Sequence, residues 1–502
     1  MAVSVTCFVA YAYFYQAGGW NQNSRFALVR ALVERHTAAV DAYRGASWDL
    51  SCKALDGPCA NKKRPNFAAG EHLYSDKAPG SALLGLPAYA VAYWIAGGPH
   101  PGAHYLDATS YLVTITAVAL PSAAAVGALL LLLGALGLSP WRRAAAALAY
   151  GLGTLAFPYA TLYYGHQLAA ALLLLGFALV VRMRREVVPV TRWRLVCAGL
   201  ALGGAVAVEY PAGLALVAIG AYAAVGIRPW KRLGWLALGV AVPGLITAAY
   251  HWIVFGGPLS LPYDFSVQDN RSQGFFMGIG APRWPAVKGI LFTGYRGIFH
   301  SAPWLFAAIP GAVLALRRGY RQEVLVCAGI FTLFVIMNGS LVDWSGGWAA
   351  GARYLVPALP FLAVLAGCVL LGESPRHWAG VWVATGLGAV YAAYLMLVVT
   401  AVKPEVPDAW VEPPRKLVRV EQPFAQYLLP RFWRGELATN TQGIDQGGVR
   451  RDGPEFLGPR RAFNLGQLVG LDGLPSLIPL ILLLGAGGVW VGWAARRQTR
   501  ES

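Results

Sequence analysis

Long apolar runs separated by short polar breaks dominate this chain. A membrane-spanning helix needs roughly 20 apolar residues, and segments near 3–20, 109–137, 144–160, 166–181, 195–208, 211–226, 233–254, 301–316, 324–342, 354–371, 379–400 and 476–494 approach that length. The pattern predicts about twelve spans. One more apolar run, 81–97, is interrupted by Pro87. If it also crossed, every later basic cluster would change side. It is therefore expected as a juxtamembrane or re-entrant helix, broken at Pro87, on the outer face.

The basic clusters set that orientation. They fall at Arg142–Arg143, Arg182 to Arg194, Arg228 to Arg232, Arg317 to Arg321, Arg376 and Arg496 to Arg500. The short loops between them on the opposite side carry Arg353 as their one cation. Cytosolic loops are the ones enriched in Lys and Arg, so both termini are expected inside. Three large segments, 21–108, 255–300 and 403–475, are then outside. Of the carboxylates, Glu186, Glu323, Glu373 and Glu501 stay inside and the rest lie outside.

Composition agrees with a membrane class. The 502 residues are 57% hydrophobic and 13% charged, against about 25% charged in soluble domains. A net charge of +17 raises nucleic acid as a partner, but scattered clusters between apolar runs argue for membrane lipids instead. The run 3–15 lacks a basic leader and an A-x-A site, so it reads as an uncleaved first span. Cys52 and Cys59 share one polar loop; a disulfide and two free thiols are both open readings.

Ionisable chemistry is therefore sought on the outer side. In WNQNSRFALVRALVERH, Arg25, Arg30 and Glu34 punctuate an apolar series, as expected of a helix lying in the interface. Glu34 can pair with Arg30 one turn away. Asp41 follows where that helix should end. HLYSDKAPG (72–80) places Asp76 and Lys77 before an apolar helix, where the ammonium could hold an anionic head group. PYATLYYGHQ (158–167) forms an outer tip with Tyr164 and His166, and Glu209-Tyr210-Pro211 forms another. A carboxylate at the membrane edge is costly and is functional or paired. GYRGIFHSAPW (294–304) and DWSGGWAAGARYLVP (343–357) add Arg296 and Arg353 as candidate phosphate ligands. Trp348 and Tyr354 offer faces for a sugar ring; interfacial belts use the same residue types.

An uncleaved first span, a long outer loop with interfacial helices and a Y-[SDE]-[DE]-K-x-P element together resemble the GT-C superfamily of polyprenyl-phosphate-dependent glycosyltransferases. The relatives include protein O-mannosyltransferases and lipid A aminoarabinose transferases. NQNSRF, YSDKAPG and the late W-x-GG-W…G-x-RY carry the likeness, which covers about residues 1–370. It implies an all-α, polytopic fold of about twelve transmembrane helices with juxtamembrane helices in the first outer loop. It divides the chain into a catalytic membrane module (1–400), an outer lid or acceptor-contacting region (401–475), and a last span with a basic tail (476–502). The implied activity moves one sugar, hexose or pentose, from a polyprenyl-phosphate donor to an acceptor hydroxyl on a glycan, lipid or protein. The implied place is the outer face of a bacterial cytoplasmic membrane. Lys77 maps to the lysine near the donor phosphate, and Asp76 to the acidic residue before it. Where relatives open the first loop with an Asp-Glu pair, this chain has Asn21-Gln22-Asn23. Asp41 and Asp76 are then the expected bases, Asp41 slightly ahead because it is not committed to Lys77.

No D-x-D occurs in the outer loops, so no nucleotide-sugar metal is expected and no cofactor is required; a divalent ion is compatible with the chemistry. Two other readings stay open. A lipid or lipid-linked-sugar flippase could use Glu209, although no transporter-type repeat is visible. A ligase or polymerase of O-antigen type would carry preassembled glycans.

Overall fold

The computed structural model describes residues 1–99, 102–268, 278–372, 375–412, 416–438 and 458–501. Glu373, noted above in the sequence, lies outside the described residues. The architecture is helical throughout, with small two- and three-stranded pieces. The elements begin with α1 (Ala2–Ala12), β1 (Phe14–Tyr15), α2 (Trp20–Glu34), β2 (Leu50–Ala54), β3 (Gly57–Pro58), β4 (His72–Ser75) and α3 (Gly80–Ile95). Next come α4 (Ala103–Thr114), α5 (Leu120–Ala135), α6 (Pro140–Leu152), α7 (Ala156–Ala160), α8 (Gly165–Arg184), α9 (Arg192–Val208), α10 (Gly213–Gly226) and α11 (Leu233–Phe255). The second half holds α12 (Trp284–Phe292), α13 (Ile298–Ser301), α14 (Ala308–Arg317), α15 (Arg321–Ser340), α16 (Leu359–Gly367) and α17 (Pro375–Val402). It closes with β5 (Ala409–Glu412), β6 (Lys416–Arg419), α18 (Leu429–Trp433), β7 (Phe463–Asn464), α19 (Leu465–Leu468) and α20 (Ile478–Glu501).

Among the described residues, seven helices are long and apolar enough to cross a membrane: His104–Ala135, Gly165–Arg184, Trp230–Phe255, Arg321–Ser340, Arg353–Leu371, His377–Val402 and Leu474–Arg500. Ala2–Ala12, Gly80–Ile95, Tyr210–Gly226 and Pro303–Arg317 are shorter apolar helices. Each expected span thus falls on helix, but some are divided. The expected span 3–20 is an 11-residue helix followed by the extended pair β1, and the expected span 144–160 is α6 and α7 in sequence.

Two local expectations change. α3 continues through Pro87 rather than breaking there; the apolar residues on either side outweigh one lost backbone bond. α2 is not an interfacial helix with one wet face. Asn21 through Ala31 are all buried, because the strands and α3 pack around it.

β2 is the centre of an antiparallel sheet ordered β3-β2-β4, in the register Leu50↔Ser75 and Cys52↔Leu73. Cys52 and Cys59 are disulfide-bonded across the β2–β3 hairpin. β1 pairs with β7, so the segment leading into α19 is stitched back onto the N-terminal strand. Glu34 braces the base of this region. It accepts from Arg30 Nε at 2.8 Å, from the Tyr43 hydroxyl at 2.8 Å and from the Tyr89 hydroxyl. Burial alone would raise its carboxyl, but the Arg30 hydrogen bond and charge outweigh that and hold it below the usual range. Burial, with the bond to Glu34, pushes the Tyr43 phenol up to about 12.

Candidate functional site

The strand register assembles the first part of the site. Because Leu50 lies opposite Ser75, the residues just beyond each strand end, Asp49 and Asp76, come side by side. Ser24 on α2 locks the junction, donating to the Asp49 carbonyl at 2.5 Å and sharing a hydrogen bond with Ser75 at 2.7 Å. Lys77 Nζ is seated between the two carboxylates, 2.8 Å from Asp49 Oδ2 and 3.0 Å from Asp76 Oδ1. All three side chains are buried. Gln268 Nε2 adds a 2.6 Å hydrogen bond to Asp49 Oδ1.

A second cation–carboxylate pair lies alongside. Arg25 on α2 reaches Glu209, at the end of α9, with Nη2 2.7 Å from Oε1. Its other nitrogens donate to Asn21 Oδ1 at 3.1 Å and Ser81 Oγ at 2.6 Å. Ser81 stands in the first turn of α3, so α2, α3 and α9 are joined through one guanidinium. His166 Nδ1 approaches Glu209 Oε1 at 3.5 Å. Glu209 feels His166, Arg25, Lys77 and Arg353 together, which makes these groups one electrostatic cluster. Such a cluster is stable only while each buried charge keeps a partner.

The third part is aromatic. The His166 ring packs edge-on to Tyr354 at 5.5 Å and to Tyr164 at 6.0 Å. Tyr164 donates to Glu405 Oε1 at 2.6 Å. The Arg353 guanidinium stands over the rings of Tyr354 and Tyr164, 5.1 and 5.8 Å from their centroids. Among the described residues its one side-chain hydrogen bond goes to the Tyr354 hydroxyl at 3.2 Å, and its Nε is buried without an acceptor. Among the described residues no carboxylate pairs with Arg353.

The expected site residues thus separate. Asp76, Lys77, Tyr164, His166, Glu209, Arg353 and Tyr354 are brought together. The Trp348 ring instead lies 5.8 Å from Lys403 Nζ. Asp41 has other partners: Oδ2 meets His72 Nδ1 at 2.7 Å and Oδ1 accepts from the Leu73 amide at 2.7 Å. Arg296 is buried and spent on structure. It donates to the Ser345 carbonyl at 3.0 Å, to the Gly347 carbonyl at 2.6 Å and to the Ala349 carbonyl, and it pairs with Asp408 at 3.0 Å.

Arg25, Asp49 and Glu405 join the site without having been singled out for it in the sequence. A signal existed for Arg25, one turn after Asn21 in NQNSR. Glu405 also had one, as a carboxylate just past the end of a long apolar helix. Asp49 becomes visible only through the β2–β4 register. Among the described residues, Arg25, Lys77 and Arg353 and the carboxylates of Asp49, Asp76, Glu209 and Glu405 therefore converge at the N-terminal end of α8. Arg353 stands among aromatic rings there, with its Nε buried and without an acceptor.

No protein-family model matches the chain, and no curated protein matches it. Solved structures do. ArnT from Cupriavidus metallidurans bound to undecaprenyl phosphate is 19% identical, over 79% of this chain and 68% of that one, with a TM-score of 0.44. Its apo state is 20% identical, over 79% and 63%, with a TM-score of 0.46. The apo oligosaccharyltransferase of Archaeoglobus fulgidus is 12% identical, over 81% and 56%, with a TM-score of 0.46. The chain therefore spans about two thirds or less of these proteins.

Proposed function

We propose that the chain is a membrane glycosyltransferase that moves a single sugar from a polyprenyl-phosphate donor to an acceptor hydroxyl, at the outer face of a bacterial cytoplasmic membrane. The observation that carries this reading is Arg353, a guanidinium held among aromatic rings with a buried nitrogen lacking an acceptor. A buried polar group left so is costly, and a lipid phosphate would satisfy it through charge-assisted hydrogen bonds. Lys77 stands in the same cluster as a second cation. As the glycosidic C–O bond breaks, negative charge grows on the phosphate oxygen, where fixed cations in a dry site stabilise it. Tyr354, Tyr164 and Trp348 offer faces to the sugar, and His166 and Glu209 offer polar contacts to its hydroxyls. Asp76 stays a candidate base, although Lys77 holds it. Asp41 would have to leave His72 to serve.

A disulfide in the loop beside the site supports an oxidising, outer location, as does the division of charge between the two ends. This chemistry requires no cofactor, and a divalent ion is compatible with it; among the described residues the one group of three metal-type ligands is Cys52, Cys59 and Glu71, and its cysteines are joined to each other.

The test is transfer itself. Reconstituted protein is given radiolabelled sugars on undecaprenyl phosphate, and label is followed into water-soluble and membrane acceptors. Label leaving the lipid phosphate supports the reading. Movement of intact lipid across vesicles without bond cleavage would replace it with the flippase.

A further inference from the structure

We propose that Glu405 is the proton acceptor for the incoming nucleophile; this rests on the transfer reaction above and names the base it needs. Four buried carboxylates lie in the cluster, and they are not equivalent. Asp49 and Asp76 both hold Lys77, and Glu209 holds Arg25. Among the described residues Glu405 forms no ion pair, and its single hydrogen bond comes from the neutral Tyr164 hydroxyl. A carboxylate can accept about four hydrogen bonds, so Glu405 keeps capacity that its neighbours have committed to cations. It is only 5% exposed. A buried carboxylate that lacks a cation is a site for a ligand's donor by default.

Position and rigidity agree. Tyr164 is shared: it binds Glu405 through its hydroxyl and lies under Arg353 through its ring. The proton acceptor and the proposed phosphate ligand are thus one side chain apart. The carboxylate is clamped by tight backbone. A Cβ on Gly19 would lie 2.1 Å from Glu405 Oε1, as one on Gly165 would lie 2.2 Å from Glu209 Oε1. The segment bearing Glu405 is anchored on both sides, by Ala350 N to the Pro404 carbonyl at 2.8 Å and by Asp408 to Arg296. Such support is what a catalytic group needs to keep its geometry.

The step balances as follows. The acceptor oxygen forms a bond to the anomeric carbon while its proton passes to Glu405. The bond from that carbon to the phosphate oxygen breaks, its electron pair staying on the lipid phosphate. Glu405 then returns the proton to water.

The test uses the full chain in liposomes, with undecaprenyl phosphate as the binding probe and its radiolabelled sugar conjugates as donors; transfer to water counts as transfer. Glu405→Gln is expected to lower kcat at least 100-fold, in the range of general base catalysis, while the Kd for undecaprenyl phosphate stays within twofold. Tyr164→Phe keeps the carboxylate and is expected to lower kcat about tenfold, again at constant Kd. Turnover within threefold of wild type in both variants overturns the assignment. So does a loss traced to weaker undecaprenyl phosphate binding. Wild type that transfers no label removes the parent reading, and this inference with it.

Discussion

The two ends of α8 carry buried carboxylates in opposite circumstances. At its C-terminal end Glu323 is fully engaged: Arg185 reaches it with two nitrogens, at 2.9 and 2.6 Å, and the Tyr222 hydroxyl also donates to it. At its N-terminal end Arg25, Lys77, Arg353, Glu209 and Glu405 share a cluster in which, among the described residues, Arg353 lacks a carboxylate and Glu405 lacks a cation. The 20-residue helix between them spans about 30 Å, the thickness of a bilayer core. A closed bidentate pair with its remaining lone pairs filled is a structural tie. A cation and a carboxylate left unpaired in the same cluster are the mark of a ligand site.

That contrast can be broken most sharply at Lys77. Lys77→Ala strips the partner from two buried carboxylates, so we expect a stability loss of about 3–5 kcal/mol together with lost transfer, read by thermal unfolding in detergent and by label transfer. Unchanged thermal stability would show that Asp49 and Asp76 are not held as described. At the other end, Glu323→Ala should cost about 3 kcal/mol, since it leaves the Arg185 charge unmatched, yet should keep the Kd for undecaprenyl phosphate. A changed Kd would erase the distinction between the ends.

Arg353→Ala should do the reverse. Without a carboxylate partner to orphan, stability is expected to stay within about 1 kcal/mol, while affinity for undecaprenyl phosphate falls tenfold or more, as for loss of a charged hydrogen bond. Intact affinity would remove Arg353 as the anion seat. The smallest effect concerns Glu34. Its folded carboxyl lies below its unfolded value of about 4.3, so its contribution is complete above that pH and is lost as pH falls through the lower folded value. Glu34→Gln should flatten the acid limb of stability by about 1 kcal/mol, measured by thermal melts between neutral pH and the acid range. An unaltered limb would mean that Arg30 does not depress this group.

How much of the site was legible follows from what periodicity records. Hydropathy marks where helices lie, because burying an apolar run in lipid depends on the run alone. It misled at α2, where apolar spacing suggested an interface helix and Asn21, Gln22, Asn23 and Arg25 are buried instead. Gln22, Asn23 and Arg25 bond to Tyr163, Ala46, Ser81 and Glu209, partners from distant parts of the chain. Lys77 stood out because a charge beside a proline at a helix start is locally conspicuous. Arg296 and Arg353 looked alike in the sequence; only the carbonyls of residues 345–349, folded around one of them, made the first structural.

The chain by itself determined the membrane class, the helix order, the division of charge between the two sides and the SDKAP element, since each is a property of contiguous residues. The tertiary structure decided which carboxylates meet which cations. A one-residue slip of β2 against β4 would have separated Asp49 from Lys77, and without the return of the chain after α17 Glu405 would not touch Tyr164. Those pairings are set by register and packing over long separations, for which local sequence carries no signal.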